Sequence, residues 1–118
     1  MELDALADAW RKRIAEEKQR LQSQANEMRT RAQKAAKALI EEFGVKEVWL
    51  FGSLAKEPRH EGFDVDLAVS GLPPGRHFAA LARACEIVGR PVDLVALETA
   101  PPAMVRSIRQ RGVRIHGQ

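Results

Sequence analysis

The first 43 residues contain neither glycine nor proline. Ala, Glu, Lys, Arg, Gln and Leu dominate them, and these side chains lose little on entering a helix. Apolar positions recur at Ile14, Leu21, Ala25, Met28, Ala32, Ala35 and Leu39, in steps of three, four and seven, with Lys18 interrupting the seam. That spacing predicts one helix ending at a glycine cap, Gly44. A helix of this length would run about 60 Å, whereas the rest of the chain should fold to a core about 25–30 Å across. Part of the helix must therefore project or lie against another chain. The expected division is a helical extension over residues 1–31, serving assembly as a parallel or antiparallel coiled coil, and a domain over 32–118 that takes its first helix from 32–43. A solvated extension is the plainer alternative.

With 118 residues, 45% of them hydrophobic and 30% charged, the chain has room for one small domain and an appendage. The net charge of +3 permits an acidic partner but does not signal nucleic-acid binding. Basic and acidic residues nearly cancel along the long helix. Tyrosine is absent, so there is no aromatic platform for stacking bases, and nucleic acid is not an expected partner. A single cysteine, Cys85, excludes an intrachain disulfide and a multi-cysteine zinc site. It suits a reducing cytoplasm, and between apolar helical neighbours it reads as a half-buried structural thiol. No run approaches the length of a membrane span. The acidic start Met1-Glu2-Leu3-Asp4 lacks the layout of a signal peptide. A soluble cytoplasmic protein is expected, with no membrane partner.

From Val45 onward the pattern turns to strands and helices in alternation. Val48-Trp49-Leu50-Phe51 is a short apolar run ending at Gly52, suited to a buried strand. Residues 53–57 suggest the first turn of a short helix, and 58–62 a loop. Val65, Leu67 and Val69 alternate with Asp64, Asp66 and Ala68, a strand of period two. Residues 71–75 form a turn around Pro73-Pro74. A helix follows over 76–88, with Gly89 as its stop. Strand 91–97 comes next, then a helix from Pro101-Pro102 to about Gln110, ended by Gly112. Residues 113–115 suit a short edge strand. The expected fold class is α/β (α+β): a small mixed sheet of three to four strands with helices packed on it, preceded by the long N-terminal helix.

The chemistry gathers at strand ends. Alternation puts Asp64 and Asp66 on one side of their strand, with Cβ atoms about 6–7 Å apart. Two carboxylates so placed repel unless a cation lies between them, and Mg²⁺ is the hard, oxygen-seeking ion at hand. Asp93, in Pro91-Val92-Asp93-Leu94-Val95, can face the same place if its strand lies beside the second. An aspartate inside such an apolar run also needs a partner for its charge. Three carboxylates suit a site for two magnesium ions. Gly52 lets the backbone approach an anion closely, the start of a helix offers free N–H groups to phosphate, and Ser53 adds a hydroxyl.

Gly52-Ser53, ten intervening residues, and Asp64-Val65-Asp66 resemble the Gly-Ser-x10-Asp-x-Asp signature of the DNA polymerase β-like nucleotidyltransferases. The chain length and the ending Ile108-Arg109-Gln110-Arg111-Gly112-Val113 are similar to the minimal nucleotidyltransferases (MNT), and the resemblance covers about residues 32–116. It implies the polymerase β-like nucleotidyltransferase core. It implies that Asp64 and Asp66 hold both Mg²⁺ ions, that Asp93 completes the catalytic one and helps deprotonate the acceptor, and that Gly52 and Ser53 hold the triphosphate of ATP. It implies transfer of AMP to a hydroxyl, with release of pyrophosphate. Many such proteins are antitoxins whose partner is a HEPN-domain ribonuclease toxin, modified on a tyrosine. Without a tyrosine of its own, this chain fits modification in trans. Where many members read Gly-Ser-Arg-Ala-Arg-Gly, Leu54 and Glu57 here replace a cation and a glycine. Lys56 keeps one positive charge for the nucleotide, Arg59 or His60 could supply another, and Phe63 precedes the first aspartate in place of a polar residue.

Two other functions fit the same residues. One is an antitoxin that is weakly active or inactive and acts by stoichiometric binding. The other is a stand-alone transferase acting on a small molecule or an RNA end. Arg106, Arg109, Arg111 and Arg114 read as solvation of the last helix, with contact to an acidic toxin surface or RNA as the lesser alternative. His60, His77 and His116 show no ligand spacing. Trp10 suggests an anchor on the helical arm for a partner chain, which could be a second copy.

Overall fold

The computed structural model describes residues 2–57 and 62–116. The glycine-free and proline-free segment forms a single helix, α1 (Glu2–Phe43). It stops where expected: Gly44 takes φ +72°, its N–H donates to the Ile40 carbonyl, and Val45 N–H donates to that of Leu39. Then follow β1 (Glu47–Phe51), a 3-10 turn at Gly52–Ala55, β2 (Val65–Ser70), α2 (His77–Val88), β3 (Val92–Ala96), α3 (Pro102–Arg111) and β4 (Val113–His116). The helix expected at 53–57 is thus only this 3-10 turn, too short for an α-helical N-terminus. The candidate phosphate contacts Arg59 and His60 lie outside the described residues.

The four strands form one mixed sheet in the order β3-β2-β1-β4. β1 is antiparallel to both β2 and β4, and β2 is parallel to β3. The α2 crossover makes the parallel pair possible, because two parallel strands cannot be joined by a tight turn.

Period two gives the sheet two distinct faces. On one, Val48, Leu50, Val65, Leu67, Val69, Val92 and Leu94 pack in the main core with α1 and α2. On the other, Trp49, Phe51, Ala68, Val95 and Leu97 pack with Val105 and Ile108 of α3. Arg109 pins α3 here: it lies over the Trp49 ring at 5.6 Å and pairs with Glu47 at 3.2 Å. α3 is ten residues long, and it covers this second face only in part.

The α1–α2 contact is built of small residues. Ala32, Ala35 and Ala36 on α1 and Ala80 and Ala84 on α2 are fully buried, which lets the two backbones approach closely. Its edges carry the Arg83–Glu42 ion pair at 3.0 Å and a hydrogen bond from Arg31 to the Val88 carbonyl. Cys85 is half-buried on α2. Along α1 the core membership begins at Leu21 and runs to Phe43. The turns before it project, and the molecule measures 66 Å along its longest axis against 29 and 22 Å across. Among the described residues no helix is long and apolar enough to cross a membrane.

Overpacking the alanine contact should be costly. Ala84→Leu is expected to destabilise the fold by about 1–3 kcal/mol, read by chemical denaturation, whereas the exposed neighbour Ala82→Leu should leave the midpoint nearly unchanged.

Candidate active site

The site lies at the end of the sheet where β1 finishes and β2 and β3 begin. In the parallel register Asp66 sits opposite Asp93, and in the antiparallel register it sits opposite Phe51. Asp66 therefore lies between the other candidate aspartate strand and the start of the Gly52–Ala55 turn. Its face is the one that α3 covers only in part, so the carboxylates meet solvent while Val65 and Val92 beside them are buried. Asp64, just before β2, is exposed, as is Asp93.

With its proton on, the Asp66 carboxyl can hydrogen-bond to Asp93 across the parallel register. The Asp66 carboxyl is pushed up to about 6 from the usual 3.8, first by partial burial, then by that hydrogen bond and by the negative charges of Asp93 and Asp64. Partial burial and neighbouring negative charge both disfavour the ionised form of a carboxyl. Hard oxygen donors of this kind suit Mg²⁺. As the side chains stand, no three acidic, histidine or cysteine groups among the described residues are gathered around a single point for a metal. The convergent pair is Asp66 with Asp93, and Asp64 is felt as a nearby charge.

Gly52 has a strict reason to be glycine. Its φ of +73° lies in the left-handed region, and a Cβ placed on it would penetrate Asp66 Oδ2. The backbone thus passes directly against the carboxylate, with no room for a side chain between them. Ser53 follows, and its Oγ donates to the Asp64 carbonyl at 3.3 Å. That bond ties the turn to the start of β2. Lys56 is placed differently from the other candidates. It lines a groove of about 690 Å³ between α1, the turn and β4, with Asn26, Arg29 and Val113, and no aspartate lines that groove.

Sequence reasoning missed Arg29. From α1 its Nε donates to the Leu54 carbonyl and its Nη2 to the Lys56 carbonyl, both at 2.8 Å. Asn26 orients the same guanidinium at 3.0 Å. A guanidinium donates to the two carbonyls from two nitrogens held in one rigid plane, whereas an ammonium would reach them from a single point on a flexible stem. Further along, Lys18 pairs with Glu57 at 3.3 Å. Two of the three departures from the family pattern also find their place: Leu54 and Phe63 are both buried in the main core, while Glu57 is exposed. Nothing in the helical pattern marks Arg29 off from the other charged residues of α1, because its partners are main-chain atoms 25 and 27 residues away.

A compact mixed sheet that sets paired aspartates beside a glycine-led turn defines a nucleotidyltransferase-type architecture. The family described as "Polymerase beta, Nucleotidyltransferase" matches residues 33–118, and the chain belongs to it. Several solved structures share the fold. A toxin–antitoxin structure with AMP-PNP superposes with a TM-score of 0.63 at 21% identity, covering 73% of each chain. A complex of tri-AMPylated HEPN toxin with MNT antitoxin from Shewanella oneidensis gives 0.61 at 21%, covering 77% of this chain and 73% of that one. A candidate minimal nucleotidyltransferase gives 0.61 at 25%, covering 75% and 93%. No curated protein matches the chain.

Two outcomes test the geometry. Because the folded pKa of Asp66 exceeds its unfolded value, the folded chain retains a proton between about pH 4 and 6 that the unfolded chain releases. The resulting stabilisation is full below about pH 4 and is lost as pH rises through about 6. The difference in melting temperature between Asp66→Asn and the unaltered metal-free chain should therefore grow in favour of the variant across that window; a constant difference would contradict the shift. Gly52→Ala should cost about 1–3 kcal/mol in denaturant titrations, from backbone strain together with displacement of Asp66.

Proposed function

We propose that this chain is a minimal nucleotidyltransferase that moves AMP from ATP to a hydroxyl of a protein acceptor, acting as the antitoxin that silences a HEPN ribonuclease toxin. The observation that carries the reading is the register pairing of Asp66 with Asp93 directly against the Gly52 turn, on a fold shared with an MNT antitoxin solved alongside its AMPylated HEPN toxin. The acceptor is a residue of the partner, and a tyrosine acceptor could not lie in this chain, which has none.

In this reading Gly52 and Ser53 receive the triphosphate, with the bare glycine backbone permitting close approach. The acceptor oxygen forms a bond to the α-phosphorus. The bond from that phosphorus to the oxygen leading to the β-phosphate breaks, and pyrophosphate leaves. Asp93, exposed at the start of β3, takes the acceptor proton. Asp64 and Asp66 would hold two Mg²⁺ ions and Asp93 would complete the ligand set of one. Bound there, Mg²⁺ supplies neutralisation of the developing phosphoryl charge and a lower pKa for the attacking hydroxyl. Arg29 keeps the turn and the following loop in place from behind. A reducing cytoplasm suits the single half-buried thiol, and the projecting arm of α1 suits assembly with the toxin or with a second copy.

Stoichiometric silencing is the second reading. It is favoured by the burial of Leu54 where relatives carry a cation, and by the position of Lys56 in a groove without an aspartate. Intact mass of a HEPN partner after incubation with this protein, ATP and Mg²⁺ separates the two. A gain of whole AMP units is expected, reduced more than about 100-fold by Asp64→Ala with Asp66→Ala. A stable complex without mass gain would establish silencing by binding alone.

A further inference from the structure

Four of the large apolar side chains exposed among the described residues lie on one short stretch of α1: Leu3 at 80%, Leu6 at 57%, Trp10 at 60% and Ile14 at 62%. With Ala7 they form a stripe at positions 3, 7, 10 and 14, the three-four spacing of a coiled-coil seam, flanked by Leu6. The same stripe continues into Leu21, Ala25 and Met28, where the body of the protein covers it. Lys18 and Glu57 mark the changeover. A helix face that is core along one half and bare along the other is a face made to be covered along its whole length.

The charges of the arm say what covers it. Its first turns are acidic, with Glu2, Asp4 and Asp8, and the following turns carry Arg11, Lys12 and Arg13. We propose that residues 3–14 of α1 pair antiparallel with the same residues of a second copy of this chain. Reversing one helix sets Leu3 against the second copy's Ile14 and Ala7 against its Trp10, so the four seam positions match themselves. Flanking the seam, Asp4 comes opposite the second copy's Arg11, twice by symmetry. Arg11 is already aligned by Asp8 at 2.8 Å. Opposed helix dipoles add to the fit. A parallel, in-register pair would instead set Arg13 beside the second copy's Lys18 and gather both acidic ends together.

The groove at the base of the arm belongs to the same surface. It has a volume of about 630 Å³ and is lined by Trp10, Arg13, Ile14, Leu21 and Glu57, among others. In the antiparallel pair, Leu3 of the second copy enters at the level of Ile14. Trp10, with the Arg13 guanidinium 5.7 Å from its ring centre, becomes the central anchor, an aromatic side chain ringed by charge. α1 grips the Leu54–Lys56 loop through Arg29 and ends at Phe43, leading into the start of β1, so the arm leaves the body at the catalytic end. With the arms antiparallel, the two catalytic ends face each other, their Leu21 residues separated by about 38 Å along the helix axis.

Sedimentation equilibrium of the full chain across the micromolar range tests this without nucleotide or acceptor, so its failure is independent of the AMP-transfer reading. The expected result is a species of twice 13.1 kDa that dissociates on dilution. Trp10→Glu or Ile14→Glu should weaken it at least about 30-fold while leaving the helical circular dichroism of the body intact. Asp4→Arg and Arg11→Asp should each weaken it, and the two together should restore it. A monomer at every concentration overturns the proposal, as does a dimer indifferent to Trp10→Glu or one that the double charge exchange fails to restore. A monomer whose complex with a HEPN protein is lost on Trp10→Glu also overturns it and assigns the stripe to that partner.

Discussion

The parallel pairing of β2 with β3 is the constraint on which the site and the core both depend. In that register Leu67 meets Leu94 on one face, and Asp66 meets Asp93 on the other. The apolar face is taken by α1 and α2, which leaves the carboxylates on the face that the short α3 covers only in part. A one-residue slip of β3 would send Asp93 under α1 and α2, bring Leu94 to the open face and part the two aspartates. Hydrophobic burial therefore holds the two carboxylates together against their own repulsion. The raised pKa of Asp66 reflects partial burial first, and the neighbouring carboxylates after it.

α1 acts on the site from the opposite side. Its Arg29 satisfies one carbonyl within the Gly52–Ala55 turn and one just after it, and Leu54 and Phe63 insert into the core that α1 helps to enclose. Seen as a loop sequence alone, leucine for a cation and phenylalanine before the first aspartate look like losses of polar function. In the folded chain they are apolar anchors beneath a helix that reaches over this end of the sheet. One element thus closes the core, fixes the loop and continues outward as an arm.

Much of the fold was legible because its signals are periodic and local. The absence of breakers before Gly44, the alternation over 64–70, and the stops at Gly89 and Gly112 each mark a boundary that the structure keeps. Gly52 could be singled out from its place between an apolar run and Ser53. The short turn at 53–57 was harder, since the first residues of a 3-10 turn and of an α-helix have the same composition. Arg29 and the groove-side position of Lys56 were not legible, because both depend on main-chain neighbours far away in sequence.

By itself the sequence determined which residues could be buried together, where each element ends, and that Asp64, Asp66 and Asp93 stand near strand starts. These properties follow from side-chain size, charge and backbone freedom within a few residues of each position. Only the tertiary structure decided that Asp66 faces Asp93 rather than Asp64 in the closest pair, that Gly52 lies against Asp66 Oδ2, and that Arg29 holds the loop from behind. Those contacts join segments whose relative placement is set by the packing of α1 and α2 on one face of the sheet, and no local preference encodes a distance across it.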